Sequence, residues 1–140
     1  MIRFRAVLFD AVGTLFDVAE PVGETYARFA ESEGVSAEPR ALDDAFRAAF
    51  AGSTPLAFPH APAAELPSLE RAWWRRLVYD AFARARIDAP PAALDRAFAG
   101  VFEHYATAAA WRVYPDVKPV LHSLRERGLR LAVVSNFDTR

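Results

Sequence analysis

Apolar residues form two short runs, one near each end of the chain, of which the second is interrupted by Arg130. Residues 6–9 (Ala-Val-Leu-Phe) make the first run, which ends at Asp10, and residues 129–134 make the second, which ends at Ser135. Apolar runs of this length are typical of strands that are buried on both faces of a parallel sheet. The pattern therefore predicts two core strands, each followed directly by polar residues.

Between the two runs the apolar residues recur with the period of a helix. Four amphipathic helices are predicted, over about 21–33, 42–50, 68–82 and 94–105, and a fifth, shorter one precedes the second run. Gly34 and Gly128 stand where glycine commonly ends a helix, and Ser68 stands where serine commonly caps the start of one. The interior of the chain is therefore predicted to be helical.

Two parallel strands separated by a helical insertion predict an α/β fold. We expect the first strand and its loop in residues 1–16, a helical cap in 17–112, and a core helix with the second strand in 113–140. An open parallel sheet normally has several strands covered by helices on both faces, so this sheet is incomplete. The remainder of the core is expected to lie outside these 140 residues.

Composition narrows the classes of partner. Seventeen basic and eighteen acidic residues give a net charge of -1, which favours neither nucleic acid nor an anionic membrane surface. The chain has no cysteine, so it has no disulfide framework and no thiolate metal site, and the cytoplasm is the expected compartment. The balanced charge makes a small-molecule substrate the expected ligand. No apolar stretch of the sequence is long enough to span a membrane.

The polar residues after each strand could carry chemistry. Ligands bind outside the carboxyl ends of the strands in open α/β sheets, which is where Asp10 and Ser135 lie. A carboxylate there can attack phosphorus or hold Mg²⁺, and a hydroxyl beside backbone N–H groups can cradle a phosphate. Taken singly, each residue could equally form a turn at the end of a strand.

Taken together, the two segments resemble a known family. Residues 9–16 (Phe-Asp-Ala-Val-Gly-Thr-Leu-Phe) resemble the first motif of the haloacid-dehalogenase (HAD) superfamily, and residues 133–136 (Val-Val-Ser-Asn) resemble its second. The helical insertion has the size expected for the cap of this superfamily. Within it, the Trp73-Trp74 pair and residues 129–138 look most like the haloacid-dehalogenase-like domain-containing protein 3 group.

This resemblance implies a Rossmann-like core and a set of site residues. Asp10 would be the nucleophile and a Mg²⁺ ligand, and the backbone carbonyl of Val12 would be a second metal ligand. Ser135 would bind the transferring phosphoryl group, with help from Thr14 and the backbone of Asn136. The implied activity is Mg²⁺-dependent hydrolysis of a phosphate ester through an aspartyl-phosphate.

One departure from the family pattern leaves alternatives open. Phosphatases of the family usually have a second Asp, acting as general acid and base, at the position that Val12 occupies here. The related 2-haloacid dehalogenases also lack it, because displacement of halide by a carboxylate needs no protonated leaving group. A 2-haloacid dehalogenase, acting on a 2-halo acid, and a non-catalytic binding protein on the same fold therefore remain alternatives.

The third and fourth motifs of the family have no counterpart in these residues. They supply a lysine and an acidic cluster for Mg²⁺, whereas the single lysine here, Lys118, precedes the second strand and is interpreted as a surface charge. Little turnover is therefore expected from these residues alone.

An incomplete sheet would leave apolar core residues exposed. Such exposure would predispose the chain to pair with a second copy as a homodimer.

Overall fold

The computed structural model describes residues 4–140, which divide into two compact units. One, the sheet unit, comprises residues 4–19 and 111–137. The other, the helical unit, comprises Glu20–Ala110 and Asp138–Arg140. The boundaries expected from the sequence, 16/17 and 112/113, fall at short strands of the sheet unit.

Four strands and a helix make up the sheet unit. They are β1 (Ala6–Phe9), β2 (Phe16–Val18), β3 (Trp111–Val113), α5 (Val117–Glu126) and β4 (Arg130–Val133). Strands β1 and β4 pair in parallel, from Ala6 opposite Arg130 to Phe9 opposite Val133. Strands β2 and β3 pair antiparallel as a second two-stranded sheet. The mixed α/β class with a parallel sheet is confirmed.

The helical unit consists of four helices. They are α1 (Val22–Ser32), α2 (Pro39–Ala51), α3 (Leu66–Arg84) and α4 (Pro91–His104). Its core is built from one face of each helix and includes Tyr26, Leu42, Val78 and Phe98, all of which are buried. The sequence periodicity predicted these four helices because each one has a continuous apolar face to bury.

Glycine ends the first helix as predicted. Gly34 has a φ of 76°, and its N–H donates to the carbonyl of Glu31 at 3.0 Å, while the next N–H, of Val35, donates to Ala30 at 2.9 Å. A left-handed residue at this position costs glycine little, because it has no Cβ. The prediction that Gly34 closes the helix is confirmed.

The predicted cap of the third helix is wrong. Helix α3 begins at Leu66, and the Ser68 hydroxyl donates to the Glu65 carbonyl at 2.8 Å instead of accepting from the helix. A short 3₁₀ turn, Ala63–Glu65, leads directly into the helix, and Pro67 fits its first turn because the N–H it lacks would have no helical partner there. Ser68 therefore lies inside the first turn.

The first strand is also less buried than its apolar run predicts. Leu8 of β1 is 64% exposed, and Val133 of β4 is 58% exposed. Within the described residues each of these strands has one hydrogen-bonded neighbour. The expectation of strands covered on both faces is therefore not met in the sheet unit.

No helix within residues 4–140 combines the length and the apolar character that crossing a membrane requires.

Candidate functional site

The carboxyl ends of β1 and β4 lie side by side. Phe9 is opposite Val133, and the N–H of Val134 donates to the Phe9 carbonyl at 2.8 Å, one step beyond the paired residues. Asp10 and Ser135 therefore leave the sheet at the same edge. The pairing brings together the two segments whose polar residues the sequence predicts to carry chemistry.

The loop after β1 is a tight hydrogen-bonded turn. The carbonyl of Ala11, a buried residue, accepts the N–H of Thr14 at 3.2 Å and that of Leu15 at 2.8 Å. Gly13 has a φ of 77°, where residues with a Cβ are strained, and its N–H donates to the Phe16 carbonyl at 2.8 Å. The turn leaves the side chains of Asp10 and Thr14 exposed.

One hydrogen bond to a hydroxyl oxygen and two aromatic contacts stabilise the turn after β4. The Ser135 Oγ accepts the N–H of Phe137 at 3.3 Å, and both Ser135 and Asn136 are exposed. The ring of Phe137 packs edge-on against Phe16, with the centroids 5.9 Å apart, and lies tilted against Trp111, with the centroids 5.2 Å apart. These contacts hold the end of the turn within the sheet unit.

A second carboxylate near the first loop has a structural role. Asp17 accepts from the N–H of Val18 at 2.8 Å and from the Tyr114 hydroxyl at 3.1 Å. Partial desolvation of the Tyr114 phenol raises its pKa above the ordinary value, and the bond to Asp17 adds to the rise. Asp17 therefore links β2 to the segment after β3, which its place in the sequence did not indicate.

The oxygen donors at this edge suit part of a Mg²⁺ site. Mg²⁺ is commonly held by one or two carboxylates, with water and substrate phosphate completing the shell. Asp10 provides one exposed carboxylate, and the hydrogen bonds of its turn use the carbonyls of Ala11 and Phe16 rather than that of Val12. Residues 4–140 contain no group of three or more acidic, His or Cys residues that could hold a metal. These donors fit the ion in kind, and their small number predicts weak binding.

The two adjacent tryptophans of α3 pack in the helical unit. Trp73 is 8% exposed, and its indole N–H donates to the Thr54 carbonyl at 3.0 Å. The Trp74 ring lies edge-on to it, with the centroids 4.9 Å apart. An open pocket of about 410 Å³ lies beside Trp73 and is lined also by Phe58 and Arg76.

Comparison with known proteins gives one consistent family. A family model described as haloacid dehalogenase-like hydrolase matches residues 4–140. Haloacid dehalogenase-like hydrolase domain-containing protein 3 of Danio rerio is 34% identical over 136 residues, which are 97% of this chain and 55% of that protein. The Homo sapiens protein of the same name is 32% identical over 139 residues, 99% of this chain and 54% of that protein.

Solved structures show the same fold. The crystal structure of a predicted phosphoglycolate phosphatase from Haemophilus somnus 129pt matches with a TM-score of 0.57 and 20% identity, over 99% of this chain and 54% of that one. The crystal structure of a dehalogenase matches with a TM-score of 0.53 and 21% identity, over 96% of this chain and 52% of that one. The likeness at this identity concerns the fold alone.

The chain spans about half the length of the curated relatives that it matches. The match nevertheless extends across nearly all of these 140 residues and includes both segments at the sheet edge. The chain belongs to the haloacid dehalogenase-like hydrolase family.

Proposed function

We propose that this chain provides the nucleophile and the phosphate-binding turn of a phosphoric ester hydrolase. The observation that carries the proposal is the pairing of β1 with β4, which brings Asp10 and Ser135 to one sheet edge. Family membership and a fold shared with a predicted phosphatase support it. The substrate would be a small phosphate ester, selected by the helical unit acting as a cap.

In the proposed reaction the Asp10 carboxylate attacks the phosphorus atom. A bond forms between the carboxylate oxygen and phosphorus, the bond from phosphorus to the ester oxygen breaks, and the leaving group departs as an alkoxide or phenolate that takes its proton from water. Water then attacks the aspartyl-phosphate, which releases inorganic phosphate and restores Asp10. The Ser135 hydroxyl, with Thr14 and the N–H of Asn136, would bind the phosphoryl oxygens during both steps.

Mg²⁺, when bound, would neutralise charge on the phosphoryl oxygens. Asp10 and the Val12 carbonyl are the groups proposed to hold it. Two protein ligands leave most of the Mg²⁺ coordination shell open. The remaining protein ligands are proposed to correspond to residues in the half of the relatives that lies outside the match. The 140-residue chain alone is expected to turn over substrate slowly.

Val12 determines which leaving groups the site can expel. Its side chain is 40% exposed at the site edge and cannot give a proton to a departing alkoxide. An aryl phosphate, whose phenolate leaves without protonation, is therefore the proposed first substrate. Hydrolysis of p-nitrophenyl phosphate should depend on Mg²⁺ and should be lost in D10N. Equal rates in D10N and the unmodified chain would refute the assignment of Asp10.

The same residue favours one alternative, dehalogenation of a 2-halo acid. In that reaction Asp10 attacks the carbon that bears the halogen, halide leaves with the bonding electrons, and water hydrolyses the resulting ester to a 2-hydroxy acid. No proton has to reach the leaving group, so Val12 is no obstacle. Chloride release from 2-chloropropionate, with no p-nitrophenol from the aryl phosphate, would select this reaction.

A non-catalytic binding role is the third candidate. It predicts that neither product appears, although phosphate still binds at the edge between Asp10 and Ser135. The two product assays, combined with a binding measurement, therefore separate the three functions.

A further inference from the structure

Three aromatic rings meet inside the sheet unit, and each ring contacts the other two. The Phe16 and Trp111 rings lie edge-on, with their centroids 5.4 Å apart. The Phe137 ring lies 5.9 Å from the first and 5.2 Å from the second, again between centroids. Aromatic pairs attract one another at separations of about 4.5–7 Å. All three residues belong to the sheet unit, so the cluster is a closed triangle within one unit.

The register of β2 and β3 explains one side of this triangle. Phe16 is opposite Val113, and Val18 is opposite Trp111. Because side chains alternate between the two faces of a sheet, these four residues share one face. Phe16 and Trp111 are then diagonal neighbours, a separation that aromatic side chains can bridge. The strand pair therefore presents two rings together, and Phe137 packs against both.

The two loops of the candidate site are held in different ways. Backbone hydrogen bonds within residues 11–16 fix the loop after β1. Among the described residues, the turn beyond Val134 has one hydrogen bond of its own, from the N–H of Phe137 to the Ser135 Oγ at 3.3 Å. This distance exceeds the usual range of about 2.7–3.2 Å for such a bond. Within the sheet unit, the ring contacts of Phe137 are therefore the main restraint on this turn.

We infer that Trp111 is a positioning residue for the Ser135–Asn136 turn, acting through Phe137. Phe137 follows Ser135 by only two residues, and each residue spans at most about 3.3–3.6 Å, so a fixed ring restricts the backbone between them. The relevance of this positioning to phosphate binding rests on the proposed function, whereas the ordering of the turn by Trp111 does not.

Backbone ¹⁵N relaxation of the 140-residue chain tests this role. W111V removes the ring and keeps a residue type that suits a strand. In this variant the order parameters of Asn136 and Phe137 should fall from about 0.85, typical of rigid backbone, to below about 0.6. W111F keeps an aromatic ring and should restore the unmodified values. Gly13 and Leu15 should keep their order in W111V, because backbone hydrogen bonds hold their loop.

The matched control is V113T, at an exposed residue of the same strand, which should leave every order parameter unchanged. Two results would overturn the inference. One is a W111V chain in which Asn136 and Phe137 remain as ordered as in the unmodified chain. The other is an equal loss of order throughout β1 and β4, which would make Trp111 a general stability residue.

A second variant serves if W111V fails to fold. F137L removes a different ring of the triangle, at a residue that is 40% exposed and therefore contributes less to the core. The order parameter of Asn136 should again fall below about 0.6. An unchanged value in F137L would contradict the role of the aromatic triangle.

Binding of inorganic phosphate separates this inference from the proposed function. We expect a Kd at least about threefold higher in W111V than in W111F, because a disordered turn must be ordered on binding. If the unmodified chain binds no phosphate, the proposed hydrolase site fails, while the order parameters still decide the role of Trp111. If phosphate binds equally tightly to both variants, the link between Trp111 and phosphate binding is refuted.

Discussion

At the scale of single residues, Val12 has the greatest effect on the proposed chemistry. Replacement by Asp should place a proton donor two residues from the nucleophile, and general acid–base assistance typically contributes about 10²- to 10⁴-fold. The side chain is 40% exposed, so the substitution opens no cavity and buries no charge. We expect V12D to hydrolyse alkyl phosphates at least about tenfold faster than the unmodified chain, as measured by phosphate release with Mg²⁺ present.

The matched control for this variant is the double substitution V12D/D10N. It keeps the new carboxylate and removes the nucleophile, so it should be inactive. Alkyl phosphate turnover in the double variant would show that the gain does not pass through Asp10.

Asp138 should contribute to the pH dependence of stability. Burial alone would raise its pKa, but the hydrogen bonds and charge of Arg140 outweigh burial and hold the pKa below its usual value. A depressed carboxyl pKa stabilises the fold above the unfolded value of about 3.9, and this stability is lost as pH falls through the folded pKa. We expect D138N to lower the free energy of unfolding by about 1–3 kcal/mol at pH 7.

The difference between D138N and the unmodified chain should shrink as the pH drops below about 4. Urea unfolding at a series of pH values would measure it. D88N, which changes an exposed Asp outside the helices, should track the unmodified chain throughout. A D138N penalty that stays constant down to pH 2.5 would show that the charge of Asp138 is not the source.

At the scale of elements, the contact of α1 with α2 depends on a glycine. A Cβ built at Gly23 would lie 2.0 Å from the Pro39 carbonyl oxygen and 2.6 Å from the Asp43 backbone N, and backbone cannot move as a side chain can. The Gly23 N–H also donates to the Asp43 carboxylate at 3.2 Å. This contact therefore tolerates no side chain.

The substitution G23A should lower the free energy of unfolding by about 1–3 kcal/mol, the usual cost of overpacking. Thermal or urea unfolding followed by far-UV circular dichroism would measure it. G52A is the control, because a Cβ there meets its nearest atom at 3.5 Å, an ordinary contact. Equal stability of the two variants would contradict the close approach of α1 and α2.

The helices of this chain could be predicted from the sequence, whereas two of its strands could not. Helices α1 to α4 were predictable because apolar residues such as Leu42 and Phe98 repeat on one face over many turns. Strands β2 and β3 were not, since three residues are too few to show a period, and their pairing joins residues far apart in sequence. The prediction that Ser68 caps the third helix was wrong for a local reason. The 3₁₀ turn before it leads into the helix two residues earlier, at Leu66.

The candidate site was predictable only in part. The apolar runs placed Asp10 and Ser135 after strands, and the parallel pairing of those strands brings them to one edge. The contacts of Phe137 with Trp111, and of Thr139 with Glu70, depend on tertiary structure that no local pattern encodes. Contacts of this kind are therefore harder to find from sequence than the polar residues that follow each strand.

At the scale of the whole molecule, the parallel sheet leaves apolar surface open. Leu8, Val133 and Val134 are each more than half exposed, and both strands have an unpaired edge among the described residues. Such edges favour pairing with another chain. We expect the 140-residue chain to self-associate with rising concentration, as measured by sedimentation equilibrium.

The variant V133T should weaken this association, because it replaces a methyl group on the parallel sheet with a hydroxyl of similar size. V113T makes the same change at an exposed position of the β2–β3 sheet and should leave association unchanged. A monomer mass at all concentrations would contradict the expectation.

For the whole molecule, the loops after β1 and β4 are proposed to form one phosphoryl site. The most direct test is an NMR titration of the 140-residue chain with inorganic phosphate in the presence of Mg²⁺. We expect the amide signals of Gly13, Thr14, Ser135 and Asn136 to shift together with a single midpoint, and S135A to weaken the response of both loops. Shifts confined to one loop, or two loops with different midpoints, would contradict the claim.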